Sequence, residues 1–103
     1  MNQYNDKWFK HGPWEETFTY EEVVRKANYL NGKLHGLYEC YKLNGNPLYK
    51  GNYINNKANG EHIDYYRSTG TILNRMNYKN GKLNGIYEYY DYTGKLLIKT
   101  YYL

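Results

Sequence analysis

The chain has 103 residues and a formal net charge of +4, which allows one domain with a modest core and excludes a strongly basic or acidic protein. Sixteen tyrosines exclude a disordered chain, and they imply that much of the apolar burial comes from aromatic rings. We expect no membrane-spanning helix and no signal peptide, and the single cysteine, Cys40, favours a reducing cytoplasm, that of the host if the protein is viral.

The first predicted element is a degenerate repeat unit, residues 8–28. Trp8–Glu15 matches the part of the later units that follows their first turn, but the second turn glycine is missing. The segment that follows, residues 19–27, is either a strand or a short helix. Thr19 and Glu22 have the spacing of a helix capping box, whereas Val23 and Val24 occupy the repeat position of later leucines, which favours a strand. An atypical end unit is typical of the cap of a repeat array.

Three closely similar stretches follow the first unit. They begin at Tyr29, Tyr53 and Tyr78, which are 24 and 25 residues apart, and they define the units 29–52, 53–77 and 78–102. A fixed period in this range indicates an array of supersecondary units. Such an array usually presents a surface and rarely houses catalysis.

Each of these units contains two turn signals. Asn31-Gly32 and Asn80-Gly81 are strong hairpin signals, and Asn56 stands in a weakened version of the same turn. Runs of about eight residues rich in Tyr, Leu and Ile separate the turns. We therefore expect an all-β fold in which residues 1–103 form one domain. It would be an elongated, curved, single antiparallel β-meander of about four hairpin repeats and about eight strands.

A two-residue loop at each first turn also predicts the strand register. It pairs a tyrosine with an aliphatic residue and a small residue with a glycine: Tyr29 with Leu34, Tyr53 with Ala58, Tyr78 with Leu83, Ala27 with Gly36, Gly51 with Gly60, and Met76 with Gly85. We expect the glycines Gly36, Gly60 and Gly85 to leave room for a neighbouring tyrosine ring. One extra residue between Gly60 and Gly70 predicts a β-bulge near residues 62–65.

The repeating pattern, Tyr-x-Asn-Gly-Lys-x-x-Gly-x-Tyr-x-x-Tyr-x-x-x-Gly-x-Leu, resembles the MORN repeat, in the variant seen in antitoxin-like and viral proteins. The matching residues are Tyr29, Asn31, Gly32, Lys33, Gly36, Tyr38, Tyr41, Gly45 and Leu48, then Tyr78, Asn80, Gly81, Lys82, Gly85, Tyr87, Tyr90, Gly94 and Leu96. The middle unit departs from it at Asn56 and His62. The resemblance implies an elongated sheet, and members of the family serve as scaffolds, lipid-associated modules or antitoxin-like binders.

Catalysis, a metal and a cofactor are not expected. His11 and His35 occupy equivalent positions two strands apart, about 10 Å from each other, which is too far to share a metal ion. Cys40 has no evident base and is interpreted as a small packed residue. Glu39 and Glu88 are interpreted as solvated strand residues.

Three lysines, Lys33, Lys57 and Lys82, follow the first turns of their units. In a regular meander they form a row with a spacing of about 10 Å, which an acidic partner, a phosphate or an anionic lipid surface could use. The alternative is that they only keep the edge soluble. Single-stranded nucleic acid is not favoured, because repeat packing already explains the spacing of the tyrosines.

The function that this pattern favours is non-catalytic protein binding. Tyrosine gives a large contact area at low entropic cost, so we expect a tyrosine-rich face to hold a partner protein: Tyr38, Tyr87, Tyr89, His62 and Trp14. An inhibitor, immunity or antitoxin-type protein of viral, phage or bacterial origin is the concrete form of this hypothesis. A structural scaffold or self-assembling protein is the alternative.

The last predicted strand, residues 96–103, is apolar on both faces. Its outer backbone groups would be unpaired, and such an edge invites pairing with another chain. We therefore expect a homodimer through this edge, with its contacts at Leu96, Ile98, Tyr101 and Tyr102. A strand donated by the partner protein is the competing occupant.

Overall fold

Eleven strands form one antiparallel sheet in the computed structural model, which describes residues 2–103. They are β1 (Gln3–Tyr4), β2 (Lys10–Phe18), β3 (Val23–Leu30), β4 (Lys33–Leu34), β5 (Gly36–Lys42), β6 (Pro47–Ile54), β7 (Lys57–Ala58), β8 (Gly60–Tyr65), β9 (Ile72–Lys79), β10 (Lys82–Tyr90) and β11 (Leu96–Tyr102). The order is β1-β2-β3-β5-β6-β8-β9-β10-β11, with the short β4 and β7 paired to β3 and β6. The molecule measures 48 × 35 × 15 Å. The predicted elongated antiparallel meander is confirmed.

The first turns have the predicted two-residue form. Both central residues of each turn have positive φ, as a type I′ turn requires. The angles are 50° and 84° at Asn31-Gly32, 48° and 68° at Asn55-Asn56, and 51° and 82° at Asn80-Gly81. The predicted tyrosine–aliphatic pairs Tyr29–Leu34, Tyr53–Ala58 and Tyr78–Leu83 are confirmed. Asn56 does more than replace a glycine, because its side-chain oxygen accepts a 2.7 Å hydrogen bond from the Leu34 amide. It therefore fastens its turn to the preceding hairpin.

The predicted pairs between small residues and glycines are wrong. After Leu83 the register shifts, and Met76 pairs with Tyr87 instead of Gly85. At the equivalent shift in the first full unit, the Asn28 side chain spans the irregularity and donates a 3.0 Å hydrogen bond to the Leu37 carbonyl. A two-residue loop therefore fixes the register only as far as the next irregularity in the strand.

The three glycines at these shifts have a backbone role. Their φ angles are 106° at Gly36, 94° at Gly60 and 99° at Gly85, a region that L side chains rarely adopt. The atoms nearest to a hypothetical Cβ belong to asparagine side chains, at 3.4 to 3.8 Å. The expectation that these glycines make room for a tyrosine ring is therefore wrong.

The extra residue of the middle unit lies in a turn. A register shift does occur between Asp64 and Tyr65, but equivalent shifts occur in the two flanking repeats. The difference is in the hairpin that follows, where the Gly70 amide donates to the carbonyl of Tyr66, four residues back, while its counterparts donate three residues back. The irregularity predicted near residues 62–65 is therefore present, but the extra residue of the middle unit lies in the turn that follows it.

The segment that the sequence left open between helix and strand is resolved as a turn and a strand. The Glu22 amide donates a 3.3 Å hydrogen bond to the Thr19 carbonyl, and β3 begins at Val23. The capping box does not start a helix, because no helical turn follows it. The strand favoured by the repeat position of the valines is confirmed.

The core lies on one side of this single sheet. Successive side chains of a strand point to opposite faces, and the strand register places one row of residues across the sheet on the same face: Trp14, Ala27, Tyr38, Gly51, His62, Met76 and Tyr87. We call this side the aromatic face and the opposite side the charged face. The buried hydrophobic residues Trp14, Val23, Ala27 and Met76 and the buried His62 all belong to the aromatic face.

Candidate functional site

The aromatic face is held together by rings that contact one another edge to face. Ring centroids lie 6.0 Å apart for Tyr38 and Tyr53, 5.2 Å for Tyr53 and His62, and 4.8 Å for His62 and Tyr78. Interplanar angles of 66° to 73° match the arrangement that the quadrupoles of aromatic rings favour. The contacts connect β5, β6, β8 and β9, so the rings of neighbouring repeats position each other.

His62 lies at the centre of this network and is only 2 % exposed. Its Nε2 is 2.9 Å from the Asn52 carbonyl oxygen, so Nε2 carries the proton of the neutral imidazole. Nδ1 then accepts a hydrogen bond from the Tyr49 hydroxyl, and the Tyr49 oxygen in turn accepts one from Tyr53 at 2.9 Å. Every polar atom of the buried ring therefore has a partner.

Burial sets the protonation of this centre. Loss of hydration lowers the pKa of His62, although the Asn52 carbonyl and the nearby Asp64 oppose the shift. Loss of hydration likewise raises the pKa of the Asp64 carboxyl, and the His62 charge opposes it. Desolvation is also the first cause of the raised pKa of Tyr49. The network therefore favours neutral His62 and neutral Tyr49.

The aromatic face gathers all five residues predicted for partner contact. Tyr38, Tyr87, Trp14 and His62 share one row, and Tyr89 follows on the same face of β10. Trp14 and His62 are only 7 % and 2 % exposed, so direct partner contact does not fit them and they support the rings around them. Tyr38, Tyr87 and Tyr89 are half-buried and offer the contact surface.

The three predicted lysines lie where the strands end at the first turns of their units. Lys33, Lys57 and Lys82 occupy equivalent positions beside the first turns, paired with Leu30, Ile54 and Lys79. All three are exposed, and none forms an ion pair with any residue between 2 and 103. The three lysines occupy equivalent positions of their units, and Lys79, which pairs with Lys82, adds a charge beside them.

The predicted dimer edge is β11, an edge strand of the sheet. Within the described chain, β11 pairs with β10 alone. Its four predicted contact residues are exposed by 41 % to 65 % of their surface: Leu96, Ile98, Tyr101 and Tyr102.

Sequence reasoning missed a row of alternating charge on the charged face. The strand register places acidic and basic residues next to each other across eight strands, in the order Glu15, Lys26, Glu39, Lys50, Ile63, Arg75, Glu88 and Lys99. We call this row the charge ladder. The repeat period alone could have revealed it, because its acidic positions and its basic positions each recur every 24 or 25 residues.

No cluster of three or more metal-ligating side chains occurs in residues 2–103. The lone cysteine, Cys40, is a half-buried free thiol. No helix in the same part of the chain is long and apolar enough to cross a membrane.

Comparison of the chain with protein-family models and with curated proteins gives no match.

Proposed function

We propose that this chain is a non-catalytic protein-binding module of MORN-like repeats that acts by occupying a partner protein with its aromatic face. The observation that carries the proposal is the mutual edge-to-face packing of half-buried tyrosines across four neighbouring strands. Because neighbouring rings hold Tyr38 and Tyr87 contacts the Tyr102 ring, a partner that binds these two tyrosines immobilises few side chains. Tyrosine is also one of the residues that protein interfaces favour, and the hydroxyls of Tyr49, Tyr53 and Tyr78 already have hydrogen-bond partners within the chain.

The concrete form of the proposal is an inhibitor, immunity or antitoxin-type protein of viral, phage or bacterial origin that acts in the cytoplasm. It rests on the sequence resemblance to antitoxin-like MORN variants and on the use of a single, unpaired cysteine. Such a protein needs only a binding surface, and the aromatic face supplies one.

A structural scaffold is the second candidate. The exposed apolar side chains of β11 support it, because an edge strand with free backbone groups can accept a strand from another chain. A homodimer through β11 is the simplest form of this assembly.

Adjacent tyrosines on β10 provide a matched test of the aromatic face. Tyr89 points to the aromatic face and Tyr90 to the charged face, and both are half-buried. We expect Tyr89→Ser to weaken partner binding at least tenfold, as loss of an interface anchor does. Tyr90→Ser, which is the same chemical change one residue away, should leave the affinity of a single copy for the partner within about threefold of the wild type.

The measurement begins with quantitative capture from an extract of the native host and continues with calorimetry on the purified partner. Circular dichroism of both variants checks that the sheet is retained. Equal binding by the wild type and Tyr89→Ser, or loss of binding with Tyr90→Ser alone, would assign partner recognition to another surface.

A further inference from the structure

The charge ladder has an unusual symmetry. Positions at equal distances from the two ends of the ladder carry opposite charges. These matched positions are Glu15 and Lys99, Lys26 and Glu88, and Glu39 and Arg75. The remaining two positions, Lys50 and Ile63, lie side by side at the middle. A row with this symmetry is complementary to itself when it is reversed.

Ion pairs within the chain use little of the ladder. Among residues 2–103, the only ion pair between two members of the ladder is Lys26 with Glu15, at 3.8 Å, and both side chains are largely exposed. Glu39 instead accepts a hydrogen bond from the Tyr41 hydroxyl, and the Lys50 ammonium lies 5.7 Å from the centre of the same ring. Only one opposite-charge pair of the ladder is therefore closed within the chain, and the other ladder charges contact aromatic side chains or lie without an ion pair to another ladder member.

Arg75 is the clearest unsatisfied member of the ladder. Its Nε makes no hydrogen bond, and it forms a long ion pair, at 3.8 Å, with Glu61 of the adjoining row. A buried guanidinium nitrogen without a partner is costly. The Arg75 side chain remains 39 % exposed, so a carboxylate of a second copy can meet the exposed part of the guanidinium, whose charge no other ladder member pairs with.

We propose that a second copy of this chain covers the charged face, related by a two-fold axis that runs parallel to the strands between β6 and β8. This axis reverses the ladder, so that Glu39 of each copy faces Arg75 of the other and Lys26 faces Glu88. In the other face-to-face two-fold arrangement the axis runs along the ladder, and each charged residue then faces the same residue of the other copy. Like charges in direct opposition are unfavourable, so the charges select the first arrangement.

An apolar stripe beside the ladder fits the same axis. Alternation along each strand puts the residues of the stripe on the charged face, two residues from the ladder members, and Leu48 and Leu73 lie at the register shifts of β6 and β9. Under the two-fold rotation, aromatic rings face aliphatic side chains: Val24 faces Tyr90, Tyr41 faces Leu73, and Leu48 faces Tyr65. These side chains are half-buried within one copy, so a second copy would remove further apolar surface from water.

The size of the face suits a dimer. The sheet spans 48 × 35 Å, and contact over half of it would bury roughly 800 Å² per copy, the area of a standard specific interface. At the middle of the ladder Lys50 of each copy faces Ile63 of the other, and the Lys50 ammonium keeps its position 5.7 Å from the centre of the Tyr41 ring of its own copy, beside Glu39. Facing sheets usually cross at about 30°, so the opposite-charge pair nearest the axis, Glu39 with Arg75, stays in better register than the pairs farther out.

Two self-repelling variants that complement each other test the proposal. Glu39→Arg places two cations against each other at both symmetric contacts, and Arg75→Glu places two anions there. Each variant alone should lose self-association by at least tenfold relative to the wild type. An equal mixture of the two restores both opposite-charge contacts, so a heterodimer should form with an affinity within about threefold of the wild-type dimer.

Sedimentation equilibrium from about 1 to 100 µM, at low and at high salt, measures these associations. Glu16→Arg and Arg25→Glu make the same charge changes on the aromatic face and should leave the dimer intact. Circular dichroism checks the fold, and Glu39→Gln provides a milder variant, expected to weaken the dimer about fivefold.

Three outcomes would overturn the proposal. The wild type could stay monomeric at about 100 µM and low salt, the mixture could fail to associate although both variants fold, or Ile98→Pro could abolish a dimer that the ladder variants leave intact. The last result would assign dimerisation to β11.

Discussion

Replacing Gly51 with alanine is expected to lower the free energy of unfolding by about 3 kcal/mol. Gly51 is the only one of the ten glycines without positive φ, so its backbone would accept alanine. Its surroundings would not, because a Cβ there would lie 2.6 Å from the Tyr49 hydroxyl and closer still to the His62 ring. Hydrogen bonds at both nitrogens hold that ring in place, so the conflict requires the network to shift.

Urea unfolding of the wild type and the variant measures this loss, and a second background provides the control. His62→Ala removes the ring that the new methyl group would meet, and it also removes the hydrogen-bond partner that holds the Tyr49 hydroxyl beside Gly51, so this hydroxyl can move away. In that background Gly51→Ala should cost less than about 1 kcal/mol, since the two sites are directly coupled. An equal cost in both backgrounds would show that space for the His62 ring is not the reason for glycine at this position.

The turns and the repeat units could be predicted because they depend on local backbone preferences. Asn31-Gly32 and Asn80-Gly81 carry the positive φ angles that a type I′ turn needs, and that requirement is visible in two residues. The register beyond Gly36 could not be predicted in the same way. A glycine permits positive φ without demanding it, and only the hydrogen bond from Asn28 to Leu37 shows where the strand departs from regular pairing.

The core of the aromatic face could be predicted only in part. Trp14, Tyr38, His62 and Tyr87 recur at one position of the repeat, which indicates a shared face. The burial of His62 depends on the residues that flank it in the row, Gly51 and Met76, and neither is its neighbour in sequence. Gly51 leaves space that the His62 ring fills, and the Met76 side chain packs on its other side. This arrangement can be recognised only when the pairing of the strands is known.

The two faces of the sheet would have separate roles in the proposed assembly. Pairing of two charged faces removes the ladder and its apolar stripe from water, and it leaves the aromatic faces on the two outer sides. The assembly would then offer two equal partner-binding surfaces, which increases the avidity for a partner that is itself multivalent.

Acidification is expected to destabilise the fold through His62. In the unfolded chain the imidazole has its ordinary pKa of 6.5, and burial lowers the pKa in the folded state, so the unfolded state binds the proton more readily. The contribution of neutral His62 is therefore complete above pH 6.5 and is lost as the pH falls from there through the folded-state pKa. The slope for one proton cannot exceed about 1.4 kcal/mol per pH unit.

Urea unfolding of the wild type and His62→Gln between about pH 7.5 and pH 4.5 isolates this contribution. The glutamine amide can reach the same kinds of partners and does not titrate. Asp64 has a raised pKa, so its own contribution grows as the pH falls, and it is present in both proteins. We expect the stability of the wild type to fall more steeply than that of His62→Gln below pH 6.5. Parallel curves would mean that His62 is protonated in the folded state as readily as in the unfolded chain, and that its burial does not control its charge.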